Sequence, residues 1–105
     1  MVRQEELIAA VGQRKIEWSA HALRRMLERG ISRDAVLHVL CHGEIIESYP
    51  DDRPFPSALL FGIRGDKALH AVAAYNPAEQ KVVIISAYHP DAEHFEPDFK
   101  TRKKK

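Results

Sequence analysis

This sequence predicts an α+β fold, with N-terminal helices packed on a twisted, mainly antiparallel sheet of four to five strands. Three observations carry that prediction. Apolar residues recur at helical spacing from Glu5 to His42, with serine caps and glycine stops between them. From Glu44 the pattern changes to segments rich in Ile, Val, Leu and Tyr, separated by turn residues. Two of those turns, Gly65-Asp66 and Asn76 to Gln80, are hairpin connections.

Taken in order, Leu7, Ile8 and Val11 lie at helical spacing, so a first helix runs from Glu5 to Val11 and stops near Gly12. Lys15 to Trp18 is a short strand. Ser19 caps a helix from Ala20 to Arg29 that Gly30 ends. Leu23, Met26 and Leu27 are expected on its buried face, and His21, Arg25, Glu28 and Arg29 on the opposite one. Ser32 caps a third helix, Arg33 to His42, with Val36, Val39 and Leu40 as its apolar stripe and Gly43 as its stop. Four strands follow, GEIIESY, SALLFGIR, KALHAVAAY and KVVIISAYH. The proline-stiffened loop Tyr49 to Pro56 joins the first to the second, and the last three form an antiparallel meander. The last two are apolar on both faces near their middles, which implies burial on both sides, with the helices on one of them.

A length of 105 residues suits one domain, taken as residues 1–99, followed by a basic, flexible tail over 100–105. With 45% hydrophobic and 30% charged residues and no repeat, neither disorder nor a solenoid is expected. No apolar run approaches the roughly 20 residues of a membrane span, and the N-terminus is acidic and amphipathic, unlike a signal peptide. A cytoplasmic protein with no membrane partner is expected. The single cysteine, Cys41, excludes an intramolecular disulfide and a multi-cysteine zinc cluster, and it is expected as a small buried hydrophobe. Net charge is +1, but five of the 16 Lys and Arg lie in Lys100 to Lys105, leaving 11 against 15 acidic residues before them. A whole-domain basic field for nucleic acid is therefore absent, and contact with RNA or DNA would rely on local basic stripes or on the tail.

His21, Arg25 and Arg29 fall at i, i+4 and i+8 on one edge of the second helix, with heads about 6 Å apart per turn. That spacing suits a phosphate, because an imidazole moves a proton near neutral pH and a guanidinium fork holds charge growing on phosphorus. A merely solvated helix face is the alternative. His70 lies among small apolar residues of a strand, as a proton carrier or as a hydrogen-bonded core residue. Tyr88 and His89 close the last strand at the sheet edge, where Tyr88 has a core ring as its plainer role. Asp34, His38 and His42 also align on a helix, yet without a His-Glu-x-x-His context or a supporting cysteine they predict no zinc site. No Gly-x-Ser-x-Gly elbow and no glycine-rich phosphate loop is present. No metal and no cofactor is expected.

Several segments in this order resemble the domain-of-unknown-function 4258 family: Ser19-Ala20-His21-Ala22, Arg25-Met26, Arg29-Gly30-Ile31, Gly43 to Glu47, Tyr49 to Ser57, Leu69 to Val72, Val83 to Pro90 and Asp98 to Arg102. The likeness covers nearly the whole chain after Lys15 and departs at Phe95, where similar relatives often place a tryptophan. It implies a RelE-like toxin fold, and a small DNA-binding antitoxin as cognate partner. It also implies messenger RNA cleavage without metal, with RNA or the ribosome as target. Carried over by residue, it marks His21, Arg25, His70 and Tyr88 as catalytic candidates, and Arg29 and Arg53 as substrate-binding ones.

Two functions are therefore expected in competition. In the first, a metal-independent endoribonuclease toxin, the RNA 2′-hydroxyl attacks the phosphate. His21 or His70 takes its proton, Arg25 and Arg29 stabilise the phosphorane, and Tyr88 or the other histidine protonates the leaving oxygen. In the second, a non-catalytic interaction module on the same fold binds a partner protein through its sheet groove and basic tail, as the low net charge suits.

Overall fold

The computed structural model describes residues 1–102. The elements run α1 (Gln4–Gly12), β1 (Ile16–Trp18), α2 (Ala20–Arg29), α3 (Arg33–His42), β2 (Glu44–Tyr49), β3 (Ser57–Arg64), β4 (Lys67–Asn76) and β5 (Lys81–Tyr88). They form three helices on a five-stranded sheet of order β1-β5-β4-β3-β2. The last three strands are the expected antiparallel meander, closed at Arg64↔Lys67 and at Asn76↔Lys81. The sheet is mixed because β1 pairs with β5 in parallel, Ile16 opposite Val82 and Trp18 opposite Ile84.

Local chemistry sets the helix ends. Ser19 Oγ accepts the Ala22 amide and Ser32 Oγ accepts the Ala35 amide, each at 3.0 Å. Gly30 takes the left-handed conformation at φ 66°, and Ile31 N–H returns to the Met26 carbonyl at 2.9 Å, which turns the chain into α3. Gly43 ends α3 differently. Its φ of −82° suits any residue, but a Cβ there would lie 2.7 Å from the Val39 carbonyl oxygen and closer still to that of Phe61. Close approach of α3 to β3 is what requires glycine. Gln4 of α1 donates to the Gly43 carbonyl at 2.6 Å and so ties the first helix to the end of the third.

One sheet face carries the helices. Ala58 and Leu60 of β3, Leu69, Ala71, Ala73 and Tyr75 of β4, and Val82, Ile84 and Ala87 of β5 meet Leu7, Ala22, Met26, Val36, Val39 and Leu40. The alanines of β4 let the helices approach the sheet closely. On α2 the buried line runs through Ala22 and Met26, whereas Leu27, expected in the core, is 84% exposed. The helix is rotated so that its small residue faces β5 and Leu27 turns to solvent. Cys41 is half-buried, less than expected, and burial pushes its thiol pKa up.

The opposite face receives the segment after β5. Phe95 is 3% exposed and packs edge-on against His70 with ring centroids 4.6 Å apart, while Phe61 and Tyr88 flank the same imidazole at 6.0 and 5.3 Å. This segment supplies the burial on both sides that the apolar middle of β4 implied. It also engages the start of the expected tail: Lys100 Nζ meets Glu44 at 2.7 Å and Arg102 Nε meets Glu47 at 2.7 Å. Residues 103–105 of that run lie outside the described residues. Among the described residues no helix is long and apolar enough to cross a membrane.

Candidate functional site

His70 sits at the centre of β4, and strand alternation turns it to the face that Phe95 covers. Its Nε2 lies 2.6 Å from the Phe99 carbonyl oxygen. A carbonyl only accepts, so Nε2 carries the hydrogen, and the lone pair of the neutral ring falls on Nδ1. Tyr88, directly opposite His70 in the β4–β5 pair, places its hydroxyl 3.4 Å from that Nδ1 and donates toward it. Burial pushes the His70 pKa down, opposed by the Phe99 hydrogen bond, and burial also pushes the Tyr88 phenol up. At neutral pH both groups are thus uncharged. The imidazole is sealed, 0% exposed, and its free nitrogen is reached through the half-buried Tyr88.

Beside this pair runs a charged cluster from β2. Glu47 and Tyr49 alternate onto the same face, and the Tyr49 hydroxyl donates to Glu47. Arg102 grips the same carboxylate with Nε at 2.7 Å and an Nη2 contact at 3.2 Å. These bonds, led by Arg102, hold the Glu47 pKa below the usual carboxylate value. The Arg102 guanidinium also lies 5.1 Å from the Phe95 ring centroid. Nearby, Ser57 donates to Asp52 at 2.6 Å. Among the described residues no buried side-chain N or O atom lacks a partner.

Of the residues singled out in the sequence, the structure joins His70, Tyr88 and Arg29. Arg29, at the end of α2, donates to the Ala87 carbonyl at 2.9 Å and is near enough for its charge to act on the Tyr88 phenol. His21 and Arg25 are exposed on α2, and Arg25 pairs with Glu28 at 3.3 Å. Among His21, Arg25, His70 and Tyr88 the one hydrogen bond is that between His70 and Tyr88. Arg53 lies exposed in the β2–β3 loop, its backbone N–H bonded to Asp52. His38 and His42 stack with centroids 4.8 Å apart, and among the described residues no group of three or more His, Cys, Asp or Glu is placed to hold a metal ion. Glu47, Tyr49, Phe95, Phe99 and Arg102 are the members that reading the sequence for chemistry passed over. Only the i, i+2 spacing of Glu47 and Tyr49 on a strand signals a shared face.

The arrangement defines a small α+β domain whose one buried histidine connects to the surface through a tyrosine, with an arginine-bearing helix alongside. The chain belongs to the family described as Domain of unknown function (DUF4258), whose model matches residues 18–89. His21, Arg25, Arg29, Arg53, His70 and Tyr88 all lie within the matched span, and Phe95, Phe99 and Arg102 lie beyond it. No curated protein and no solved structure matches the chain.

Proposed function

We propose that this chain is a metal-independent endoribonuclease of RelE-like fold and the toxin of a toxin–antitoxin pair, with the α2 edge and Tyr88 as its working surface. The observation that carries the reading is the His70–Tyr88 pair beside Arg29. A neutral imidazole in one tautomer, fixed by a carbonyl, backs a phenol in the way that an orienting group backs a catalytic base. Tyr88 takes the 2′-hydroxyl proton while passing its own to His70 Nδ1. The 2′-oxygen bonds to phosphorus, the bond from phosphorus to the 5′-oxygen breaks, and the His21 imidazolium protonates that oxygen. The products are a 2′,3′-cyclic phosphate and a 5′-hydroxyl. Arg25 and Arg29, one turn apart, hold the extra negative charge of the phosphorane. His70 itself never touches RNA in this scheme, so it acts as a positioning and proton-storing group behind Tyr88.

A second reading rests on charge. Before Lys100 the acidic residues outnumber the basic ones, and the face opposite the helices retains an open concavity of about 580 Å³ lined by Tyr49, Asp51, Asp52, Val72 and Ile85. Such a surface suits a basic, partly apolar protein segment, such as part of a cognate antitoxin, and a non-catalytic module would use it alone.

Expression in bacteria with RNA profiling separates the two. The wild type should slow growth and leave fragments with 5′-hydroxyl ends. His21→Ala and Tyr88→Phe should each reduce cleavage by roughly 100-fold to 10,000-fold, with the melting temperature of the exposed-site variant His21→Ala unchanged. Absence of cleavage by the wild type, or cleavage retained in both variants, would sink the nuclease reading. Growth effects that persist in both variants would leave the module standing.

A further inference from the structure

At the end of the sheet where the β3–β4 hairpin approaches the turn between α2 and α3, a cavity of about 260 Å³ is lined by Arg64, Lys67, His89 and Ser32, over a floor of Ile31 and Leu69. We propose that this cavity is a phosphate-binding site. Neither Tyr88 nor His70 lines this cavity. The proposal therefore does not depend on RNA cleavage.

Four features support it. Arg64 and Lys67 are register partners closing the hairpin, so two positive side chains stand directly opposite each other. Like charges in that position destabilise a sheet unless an anion lies between them. Among the described residues neither makes a salt bridge, although Asp66 is next in the chain to Lys67, so both heads are free to converge on a ligand. His89 is oriented in turn: its Nδ1–H donates to the Ala68 carbonyl at 3.0 Å, which leaves Nε2 as the ring's other polar atom. Ser32 uses its Oγ as acceptor for the Ala35 amide, which leaves its hydroxyl hydrogen to donate. Buried Ile31 and Leu69 form the floor, where water competes less for these donors.

A forked guanidinium, an ammonium and a hydroxyl, beside an oriented imidazole, match the charge and the several acceptor oxygens of a phosphate group better than those of a planar carboxylate. The group could be a free phosphate or monoester, or the diester of an RNA strand passing the end of the sheet, and the test distinguishes these sources.

Titration of the full chain with inorganic phosphate at physiological ionic strength, followed by NMR, should give a saturable shift of the His89 ring and of the Ser32 and Ala35 amides. The double variant Arg64→Gln/Lys67→Gln should bind about tenfold or more weakly, with a melting temperature no lower than the wild type's, because both side chains are exposed and their mutual repulsion is removed. Lys67→Gln alone should show an intermediate loss. A dinucleotide carrying only a diester serves as the second ligand. Displacement of phosphate by it assigns the site to an RNA backbone, and phosphate binding without displacement assigns it to a free or monoester phosphate. No saturable shift with either ligand, or equal affinity in the double variant, overturns the proposal.

Discussion

Mild acid should weaken this fold through His70, and the size of the effect follows from the burial of its ring. The imidazole is 0% exposed, and that burial pushes its pKa below the ordinary 6.5 despite the Phe99 carbonyl, which pulls the other way. In the unfolded chain the same group titrates near 6.5. Below that pH the unfolded state binds a proton that the folded state refuses. The stability associated with neutral His70 is thus complete above about pH 6.5 and is lost as pH falls toward the folded value, with a slope approaching ~1.4 kcal/mol per pH unit. Against a total of roughly 5–15 kcal/mol for a domain, that slope is readily measured. Glu47 does not confuse the result. Its pKa is lowered from 4.5, so its contribution is present above 4.5 and is lost only as pH falls below that value. The experiment is urea unfolding at several pH values from about 7.5 down to 5, comparing wild type with His70→Gln. Glutamine can still donate to the Phe99 carbonyl but cannot take a charge. The variant should be flatter over this window even if less stable throughout. Equal slopes in the two proteins, or a flat wild type, would refute the argument that His70 is held neutral by burial.

Phe95→Ala removes the ring that seals His70 and should cost about 3 kcal/mol, at the low end for a buried phenylalanine because this outer layer can collapse. At 4–8 °C per kcal/mol for a domain of this size, the thermal midpoint should fall by roughly 12–24 °C; a loss under about 1 kcal/mol would show that the segment lies on the sheet without stabilising it. Gly43→Ala forces a methyl group against the Val39 and Phe61 carbonyl oxygens and should cost about 3 kcal/mol, since two backbone segments must move. Gly12→Ala, with nothing within 4 Å of the added carbon, is the control, and similar unfolding midpoints for the two variants would refute the crowding argument.

The helices and strands were legible because their signals are local. Ser19 and Ser32 cap, Gly30 stops, and the two hairpins carry their own turn residues, so each boundary depends on a few neighbours in the chain. What was not legible is non-local. Ile16–Trp18 is too short to show a pattern that names β5 as its partner, or the parallel direction of that pairing. Leu27 fits an apolar face by spacing, and only the docking of α2 on β5 decides that Ala22 goes inward instead. In the site, His70 and Tyr88 stood out as polar groups in apolar strands. Glu47 looked like an ordinary strand carboxylate, because the arginine that defines it lies 55 residues away. Phe95 and Phe99, isolated among charged and turn residues, show no periodicity from which a destination could be read.

The segment after β5 does two things to His70 that would otherwise conflict. By covering the ring with Phe95 it removes water, which disfavours the charged imidazole. By supplying the Phe99 carbonyl it satisfies Nε2 and favours the protonated ring, while Arg102, brought onto Glu47, sets a cation beside His70 whose charge opposes that of the carboxylate. The histidine is consequently neutral at rest, with the Phe99 carbonyl as hydrogen-bond acceptor on one side to favour a proton arriving on the other. That proton can arrive only at Nδ1, and the group facing Nδ1 is the Tyr88 hydroxyl. A core histidine kept solely for packing would need its two nitrogens satisfied and nothing more. Here the second nitrogen is served at 3.4 Å by a half-buried phenol on the last strand, next to the carbonyl that Arg29 holds. The long Tyr88 contact leaves that hydroxyl room to shorten its bond to His70, as the proton transfer proposed above requires.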